Sequence, residues 1–277
     1  MKVTRVEIHH ATEGMITKTI FALLSSVCVF ASAALAARRH FRMRTTSLPI
    51  ILAAFALGCA NTKPPPVVAA TALPGPALRA SHLQEDFTLD GNTAKPVWRK
   101  VRPVRLELES RTAINRPDVT TSVRALWSEH FLYLAFDCPF TRLTVFEPVQ
   151  AAERFGLWER DVVEAFIASD TNNVRRYTEY EVSPTNERLD VKIPEKDFAW
   201  SSGFESATRV DDKHRRWTAE MRIPWAALSE TKPAAGARWR INLYRCDYAN
   251  RAFLAFNPTL TGSFHTPERF GFLEFVE

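Results

Sequence analysis

Several features that mark common functional classes are absent from this sequence. Its 277 residues include only four cysteines, and no C-x-x-C pair or Cys/His cluster has the spacing of zinc ligands. The part of the chain after residue 59 has no long run of basic residues either. Seven of the 36 Lys and Arg and two of the 31 Asp and Glu precede residue 60, which leaves 29 of each in the remainder. Because a neutral domain lacks the counterion release that drives nucleic-acid binding, we expect no nucleic-acid partner.

Amphipathic helices and α/β alternation are also missing, and short segments of period two take their place. Alternation of apolar and polar residues over strand lengths predicts half-buried β-strands. Segments of this kind are residues 104–109, 121–127, 131–137, 161–168, 177–182, 215–223, 238–247 and 270–276, with a shorter strand and turn at 87–91. We therefore predict an all-β fold: a two-sheet antiparallel β-sandwich of about ten strands, immunoglobulin-like or jelly-roll-like, with one short helical turn at 224–228.

The first 59 residues read as a targeting segment. Residues 20–37 are an uncharged, mostly apolar run that fits either a signal h-region or a marginal transmembrane helix. A second apolar run has a basic start and ends at Cys59. The second run resembles a bacterial lipoprotein signal, with Ala56 where that family usually has Leu. We expect Cys59 to be lipidated and the protein to be exported and anchored to a membrane, in the periplasm or at the cell surface. Met43 is an alternative start of translation.

After the leader, residues 60–81 are rich in Pro and Ala and cannot bury a periodic face, so we interpret them as a tether. The predicted folded domain is residues 82–277, about 195 residues, a normal size for one all-β domain. It contains Cys138 and Cys246, each near the end of a predicted strand. In an exported protein these two residues fit one disulfide or two buried thiols about equally well.

The stretch most suggestive of function is residues 158–166, where an aromatic and acidic turn leads into a strand. Strand alternation sends Val163 and Ala165 into the core and leaves Glu164 on the opposite face, with Trp158 close by. A carboxylate accepts hydrogen bonds from sugar hydroxyls, while an indole covers the C–H face of a sugar ring. The alternative interpretation is a core Trp beside solvated acids.

A second group of acids lies on the strand at 177–182, where Tyr177, Glu179 and Glu181 share one face. If this strand neighbours the one that carries Glu164, three carboxylates converge beside Trp158. Such a triad suits hydroxyl binding, a structural calcium ion or the acid/base pair of a glycosidase. The alternative is a solvated polar face whose charges are balanced by neighbouring arginines at 175 and 176.

Several motifs occur in an order that resembles the family 9 carbohydrate-binding modules, which belong to the DOMON-like β-sandwich superfamily. The resemblance covers about residues 86–277. Its motifs are Asp86-Phe87-Thr88-Leu89-Asp90-Gly91, Trp98, Val123-Arg124-Ala125-Leu126-Trp127, Leu132-Tyr133-Leu134-Ala135-Phe136, the 158–166 stretch and Pro267-Glu268-Arg269-Phe270-Gly271. The resemblance implies a β-sandwich that binds xylan- or cellulose-type saccharides without catalysis and that is associated with glycoside hydrolases. We expect it to be a monomer.

Carried over by position, the resemblance also implies binding residues. Trp158 stands where the family has its first aromatic clamp residue, and Asp161 and Glu164 match the two acids of the same motif. Phe264 takes the place of the second clamp residue, where the family has Trp. Glu181 falls where a basic sugar-binding residue is expected. The predicted ligand-binding set is Trp158, Asp161, Glu164, Glu179, Glu181 and Phe264, with Glu109 on a presumed remote strand for comparison.

Haem binding is a different function known among related sandwiches, which use Met and His axial ligands. Met221 is the single methionine after the leader, but it alternates with apolar residues on the core side of its strand. His214 and His265 lie in predicted loops without a ligand spacing. A haem-binding redox domain, or an accessory domain of a glycoside hydrolase, remains as an alternative to an independent saccharide-binding domain.

Overall fold

The computed structural model describes residues 75–151 and 153–277, so Cys59 and most of the predicted tether lie outside the described residues. Within those ranges, no helix has both the length and the apolar character needed to cross a membrane. The strands are β1 (Ala77–His82), β2 (Val104–Leu106), β3 (Leu108–Glu109), β4 (Thr121–Trp127), β5 (Phe131–Pro139), β6 (Val162–Ala168), β7 (Tyr177–Val182), β8 (Arg188–Ile193), β9 (Glu205–Asp211), β10 (Arg216–Pro224), β11 (Arg238–Asp247), β12 (Ala252–Ala255) and β13 (Gly271–Val276). Two four-residue helices, α1 (Pro96–Arg99) and α2 (Trp225–Leu228), and three single-turn 3-10 helices complete the described elements.

The prediction of an all-β fold is confirmed, but the prediction of two separate antiparallel sheets is not. The thirteen strands form one mixed sheet with the order β8-β7-β6-β11-β13-β1-β4-β5-β10-β9, and β2, β3 and β12 pair beside this path. Strand β1 is parallel to both β13 and β4, and it thereby joins the two halves of the sheet. The sheet is nearly closed and resembles a sandwich or barrel around one main core.

Strand β1 also corrects a predicted boundary. The tether was expected to reach residue 81, yet Ala77–His82 is paired on both sides and Leu78 and Ala80 are fully buried. Strand β1 is short and contains Ala, so its composition does not identify it as a strand. Its pairing partners lie at residues 125–127 and 272–276. The folded unit therefore starts at least five residues earlier than the composition indicates.

Alternation of side chains between the two faces explains how the other strands form. On β10, Trp217, Ala219, Met221 and Ile223 are all fully buried in the main core, as their period-two spacing predicts. Pro224 ends this strand and precedes α2, so the predicted helical turn is present.

The segment at 87–91, expected to be a short strand and turn, forms no strand and is held to β10 by a buried acid. Glu220 is fully buried and accepts hydrogen bonds from the amides of Asp90 and Gly91, at 2.9 and 2.8 Å. The Lys95 ammonium and the Trp98 indole N–H also donate to its carboxylate, at 2.9 and 2.7 Å. Gly91 has a φ of 76°, and a Cβ there would lie 2.6 Å from the Thr208 carbonyl carbon. Side-chain hydrogen bonding therefore replaces strand pairing in this loop.

The two cysteines of the domain are free thiols, and both are buried. Cys138 on β5 packs in the main core, whereas Cys246 on β11 packs in a separate cluster with Leu157 and Val162. Strands β5 and β11 are separated by three other strands in the sheet. The disulfide that the sequence allowed is therefore not formed, and the alternative of two buried thiols is the one observed.

Candidate functional site

A cleft of about 870 Å³ lies over the face of β6, β7, β8 and β11 that points away from the main core. Residues of β3 and β12 and the loops around residues 111–116, 196–198 and 261–265 complete its lining. Four of the six predicted ligand-binding residues line this cleft, namely Trp158, Glu164, Glu179 and Phe264. Asp161 and Glu181 do not line it. The cleft is therefore the candidate site, and the predicted residues divide into lining and supporting groups.

Strand register brings the three glutamates together, as predicted. Strands β6 and β7 are antiparallel neighbours in which Glu164 pairs with Glu181 and Phe166 pairs with Glu179. One carboxylate oxygen from each of the three glutamates lies within 4.8 Å of the others. Convergence of the three carboxylates required β6 and β7 to be neighbours, and they are.

The three carboxyls are buried, so the alternative of a solvated polar face is wrong. Glu164, Glu179 and Glu181 are 1%, 5% and 0% exposed. The two arginines expected as counter-charges point elsewhere, because Arg175 pairs with Glu268 and Arg176 pairs with Glu195. No ion pair to this triad occurs among the residues that the structure describes.

Burial without a counter-charge has a direct effect on protonation. Loss of hydration raises the pKa of Glu164 to about 8, and the negative charge of Glu179 adds to the effect. Burial raises the pKa of Glu179 to about 7. Burial first, and then repulsion by Glu164 and Glu179, also raises the pKa of Glu181 well above its usual range. The triad therefore retains protons at neutral pH, and its carboxyls can both donate and accept hydrogen bonds.

Trp158 lies at the rim of the cleft in the 3-10 turn Leu157–Glu159, and it is half-buried. Its ring meets the exposed Phe155 edge-on at a centroid distance of 5.1 Å and lies 6.4 Å from Phe198. The Tyr248 hydroxyl donates to the Trp158 carbonyl at 2.7 Å and fixes the turn. The ring packs against the buried cluster that contains Leu157 and Val162 but stays partly exposed, so Trp158 is not a fully buried core residue.

Phe264 reaches the cleft from the loop before the last 3-10 helix. Its ring stacks on Tyr244 with centroids 4.0 Å apart and planes 6° from parallel. The Tyr244 hydroxyl donates to the Phe264 carbonyl at 2.8 Å. Next along the chain, His265 hydrogen-bonds Tyr177, and desolvation followed by the positive charge of Lys196 lowers the pKa of His265. The second predicted aromatic residue is thus held rigidly beside the cleft.

Asp161 has a supporting position rather than a lining one. Its carboxylate accepts hydrogen bonds from the backbone amides of Tyr248 at 2.9 Å and Thr144 at 3.2 Å. Burial raises the pKa of Asp161, although Arg245 and these amides oppose the shift. Asp161 therefore fastens two loops beneath Trp158. Glu181 also departs from the expected lining role, since it lies behind the cleft wall and reaches it only through Glu164 and Glu179.

Several lining residues could not be identified from the sequence. Glu109 was expected to be remote, but β3 pairs with β12 and thereby reaches the cleft, where Glu109 pairs with Arg116 at 2.8 Å. Phe198 and Tyr248 come from loops without a periodic signal. Their contribution depends on pairing between distant segments, which no local pattern reports.

The haem alternative finds no support from its candidate ligands. Met221 is fully buried in the main core, on the face opposite the cleft. His214 lies in an exposed turn, where its Nδ1 contacts Asp211 at 2.7 Å. His265 lines the cleft, but Met221 does not lie there to serve as a second axial ligand.

Comparison with known proteins identifies the family. A model described as carbohydrate family 9 binding domain-like matches residues 89–277, and the chain belongs to this family. The family consists of non-catalytic binding modules. The motif order noted in the sequence is thereby confirmed as a family relationship.

Individual proteins are similar to this chain in sequence or in fold. An "Extracellular protein" of Arthroderma benhamiae is 28% identical over 181 residues, which cover 58% of this chain and 81% of the relative. A Bacteroides uniformis crystal structure is similar in fold, with a TM-score of 0.58, 17% identity, and coverage of 73% of this chain and 99% of that one. A family 9 carbohydrate-binding module of Caldicellulosiruptor kristjanssonii in complex with cellotriose gives a TM-score of 0.54, 17% identity, and coverage of 73% and 94%. At these identities the two structures show a shared fold.

Proposed function

We propose that the cleft binds a neutral saccharide and that the protein is a non-catalytic carbohydrate-binding lipoprotein that recognises xylan- or cellulose-type polysaccharide. One observation carries this proposal: the aromatic rings of Trp158 and Phe264 line the same cleft as the carboxyls of Glu164 and Glu179. Aromatic faces and hydroxyl-binding groups in one concave surface are the two chemical requirements of sugar recognition.

The protonation state of the triad suits a neutral ligand. Because the pKa of Glu164 is about 8 and that of Glu179 about 7, the floor of the cleft is not fully charged at neutral pH. A neutral carboxyl donates one hydrogen bond and accepts others, which matches a hydroxyl group. Glu181, which replaces a basic family residue, lies behind the cleft wall, so Glu164 and Glu179 are the acids left to contact the sugar directly.

The volume of the cleft is sufficient for a short oligosaccharide. Ligand pockets commonly span about 300–1,000 Å³, and this cleft of about 870 Å³ lies towards the upper end. The complex of the Caldicellulosiruptor kristjanssonii module with cellotriose supports a short β-linked glucan as the first ligand to test.

Export and anchoring form the second part of the proposal. The apolar segment that ends at Cys59 provides a lipidation site, and the Pro-rich residues that follow it separate the anchor from β1. The description of the fungal relative as extracellular agrees with an exported domain. In this arrangement the protein acts outside the cytoplasm beside a glycoside hydrolase, which supplies the cleavage.

The anchoring proposal is tested by changing the lipidated residue. Cys59→Ala removes the thiol that would carry the lipid, so the protein should move from the membrane fraction to the soluble fraction. Fractionation and mass spectrometry of the mature N-terminus provide the measurement. Unchanged fractionation and unchanged processing would show that the leader works in another way.

The ligand proposal is tested by titration calorimetry with cellotriose and xylotriose. Trp158→Ala should weaken binding by about 2 kcal/mol, or about thirtyfold, because it removes a stacking ring. The matched control is Phe131→Ala, which removes a half-buried ring on β5 that does not line the cleft. If both variants lose affinity equally, or neither does, the sugar does not stack on Trp158.

A further inference from the structure

The geometry of the glutamate triad has room for an ion at its centre. One oxygen from each of Glu164, Glu179 and Glu181 lies within 4.8 Å of the other two. Whatever the shape of the triangle that these oxygens form, one point lies within about 2.8 Å of all three. Calcium binds carboxylate oxygens at about 2.3–2.6 Å, so a small inward movement of side chains completes three bonds.

A second observation concerns Glu181 alone. Both of its carboxylate oxygens are fully buried and, apart from a proton shared with Glu179, have no hydrogen-bond partner among the described residues. Buried polar atoms are almost always paired, because an unpaired one costs about 1–3 kcal/mol. Glu181 faces Glu164 across the β6–β7 pair, so its unpartnered oxygens are directed at the two acids that line the cleft.

The charge of the triad points to the kind of partner that is needed. No Lys, Arg or His lies within ion-pair distance of the three carboxylates in the described part of the chain. The neighbouring Cys246 thiol donates to Glu164 at 3.4 Å, so no basic group balances these acids when a cation displaces their protons and they ionise. A bound cation would satisfy all three acids at once, including the oxygens of Glu181.

We propose that Glu164, Glu179 and Glu181 bind a hard divalent cation of the calcium type, and that this ion contacts the saccharide in the cleft. The contact between the ion and the saccharide rests on the proposed function. An all-carboxylate donor set prefers calcium to the softer transition metals. Glu164 and Glu179 line the cleft while Glu181 lies behind them, so one side of the ion faces the cleft. Calcium takes six to eight oxygens, and vicinal sugar hydroxyls fill the positions that the three carboxylates leave open.

The ion is tested first without saccharide. The purified full chain, freed of metal with EDTA and then dialysed, is titrated with CaCl₂ in a calorimeter. We expect one calcium ion per chain for the unchanged protein and at least about tenfold weaker binding for Glu181→Gln. Glu268→Gln changes an exposed acid that pairs with Arg175 outside the cleft, and it should bind calcium normally. A melting curve in EDTA shows whether Glu181→Gln is folded, and Glu179→Gln replaces it if it is not.

The second arm titrates cellotriose with calcium present and with EDTA present. We expect affinity to fall at least about tenfold in EDTA for the unchanged protein, and to be low in both conditions for Glu181→Gln. Absence of calcium binding, calcium binding that ignores Glu181→Gln, or binding of zinc that calcium cannot displace would each overturn the cation site. Saccharide binding that is equal in both conditions would overturn the contact between ion and sugar while the proposed function stands. Calcium binding without any saccharide binding would overturn the proposed function and leave the ion site in place.

Discussion

The buried triad makes the stability of the domain depend on pH in a direction that is opposite to that of most acidic residues. The pKa of Glu164 is about 8 in the folded protein, against an ordinary value of 4.5. The folded state therefore keeps a proton that the unfolded chain loses between these values. Its stabilising contribution is complete below pH 4.5 and is lost as pH rises towards about 8.

The size of this effect follows from proton linkage. One retained proton changes the free energy of unfolding by about 1.4 kcal/mol per pH unit, so Glu164 alone accounts for roughly 2–3 kcal/mol between pH 5 and pH 7. Domains of this kind have a total stability of about 5–15 kcal/mol, which makes the change easy to measure. Burial also raises the pKa of Glu179 and of Glu181, so these two acids act in the same direction.

Glu164→Gln provides the matched comparison, because the amide keeps the shape of the side chain and cannot ionise. Urea unfolding followed by Trp fluorescence in EDTA, at pH 5, 6 and 7, gives the free energy of unfolding of both proteins. The difference between variant and unchanged protein cancels all groups that titrate independently of the triad. It should move in favour of the variant by up to about 1.4 kcal/mol per pH unit. A difference that stays constant with pH would refute the assignment of a raised pKa to Glu164.

Two further predictions concern parts of the fold outside the cleft. Glu220→Ala should destabilise the domain by about 3–5 kcal/mol in urea unfolding. The substitution leaves the Lys95 ammonium and the Trp98 indole N–H without their buried acceptor. A loss of stability under about 1 kcal/mol would mean that water replaces the carboxylate. Cys138 and Cys246 should resist a thiol reagent in the folded protein and react fully in urea without reductant. Peptide mass spectrometry maps the labelled residues. Recovery of a peptide that links the two cysteines would contradict the free thiols in the structure.

The predictable part of the fold is the part that local periodicity controls. Strands β4, β7 and β11 begin and end where the alternating pattern begins and ends. Each of them presents alternate residues to the main core, and the alternation is visible in a few consecutive residues. Four strands lack such a signal. Strand β9 is largely exposed, β12 has four residues, and β1 and β8 are recognised through their distant partners.

The position of the candidate site could be predicted from the sequence, but the burial of its residues could not. Alternation places Glu164 on the face opposite Val163 and Ala165, which the structure confirms. The exposure of that face depends on which residues pack over it. Some of these residues, such as Phe264, are far from Glu164 in the sequence. The role of Asp161 is beyond sequence reasoning for the same reason, since one of its partner amides lies 87 residues away.

A structure of the protein crystallised with cellotriose tests the central claim most directly. The account predicts a sugar ring in contact with the Trp158 indole, with a hydroxyl at hydrogen-bonding distance, about 2.6–3.0 Å, from the carboxyl of Glu164 or Glu179 or from an ion held between them. Density for the saccharide on any other surface, or an empty cleft at a concentration that saturates binding in solution, would contradict it.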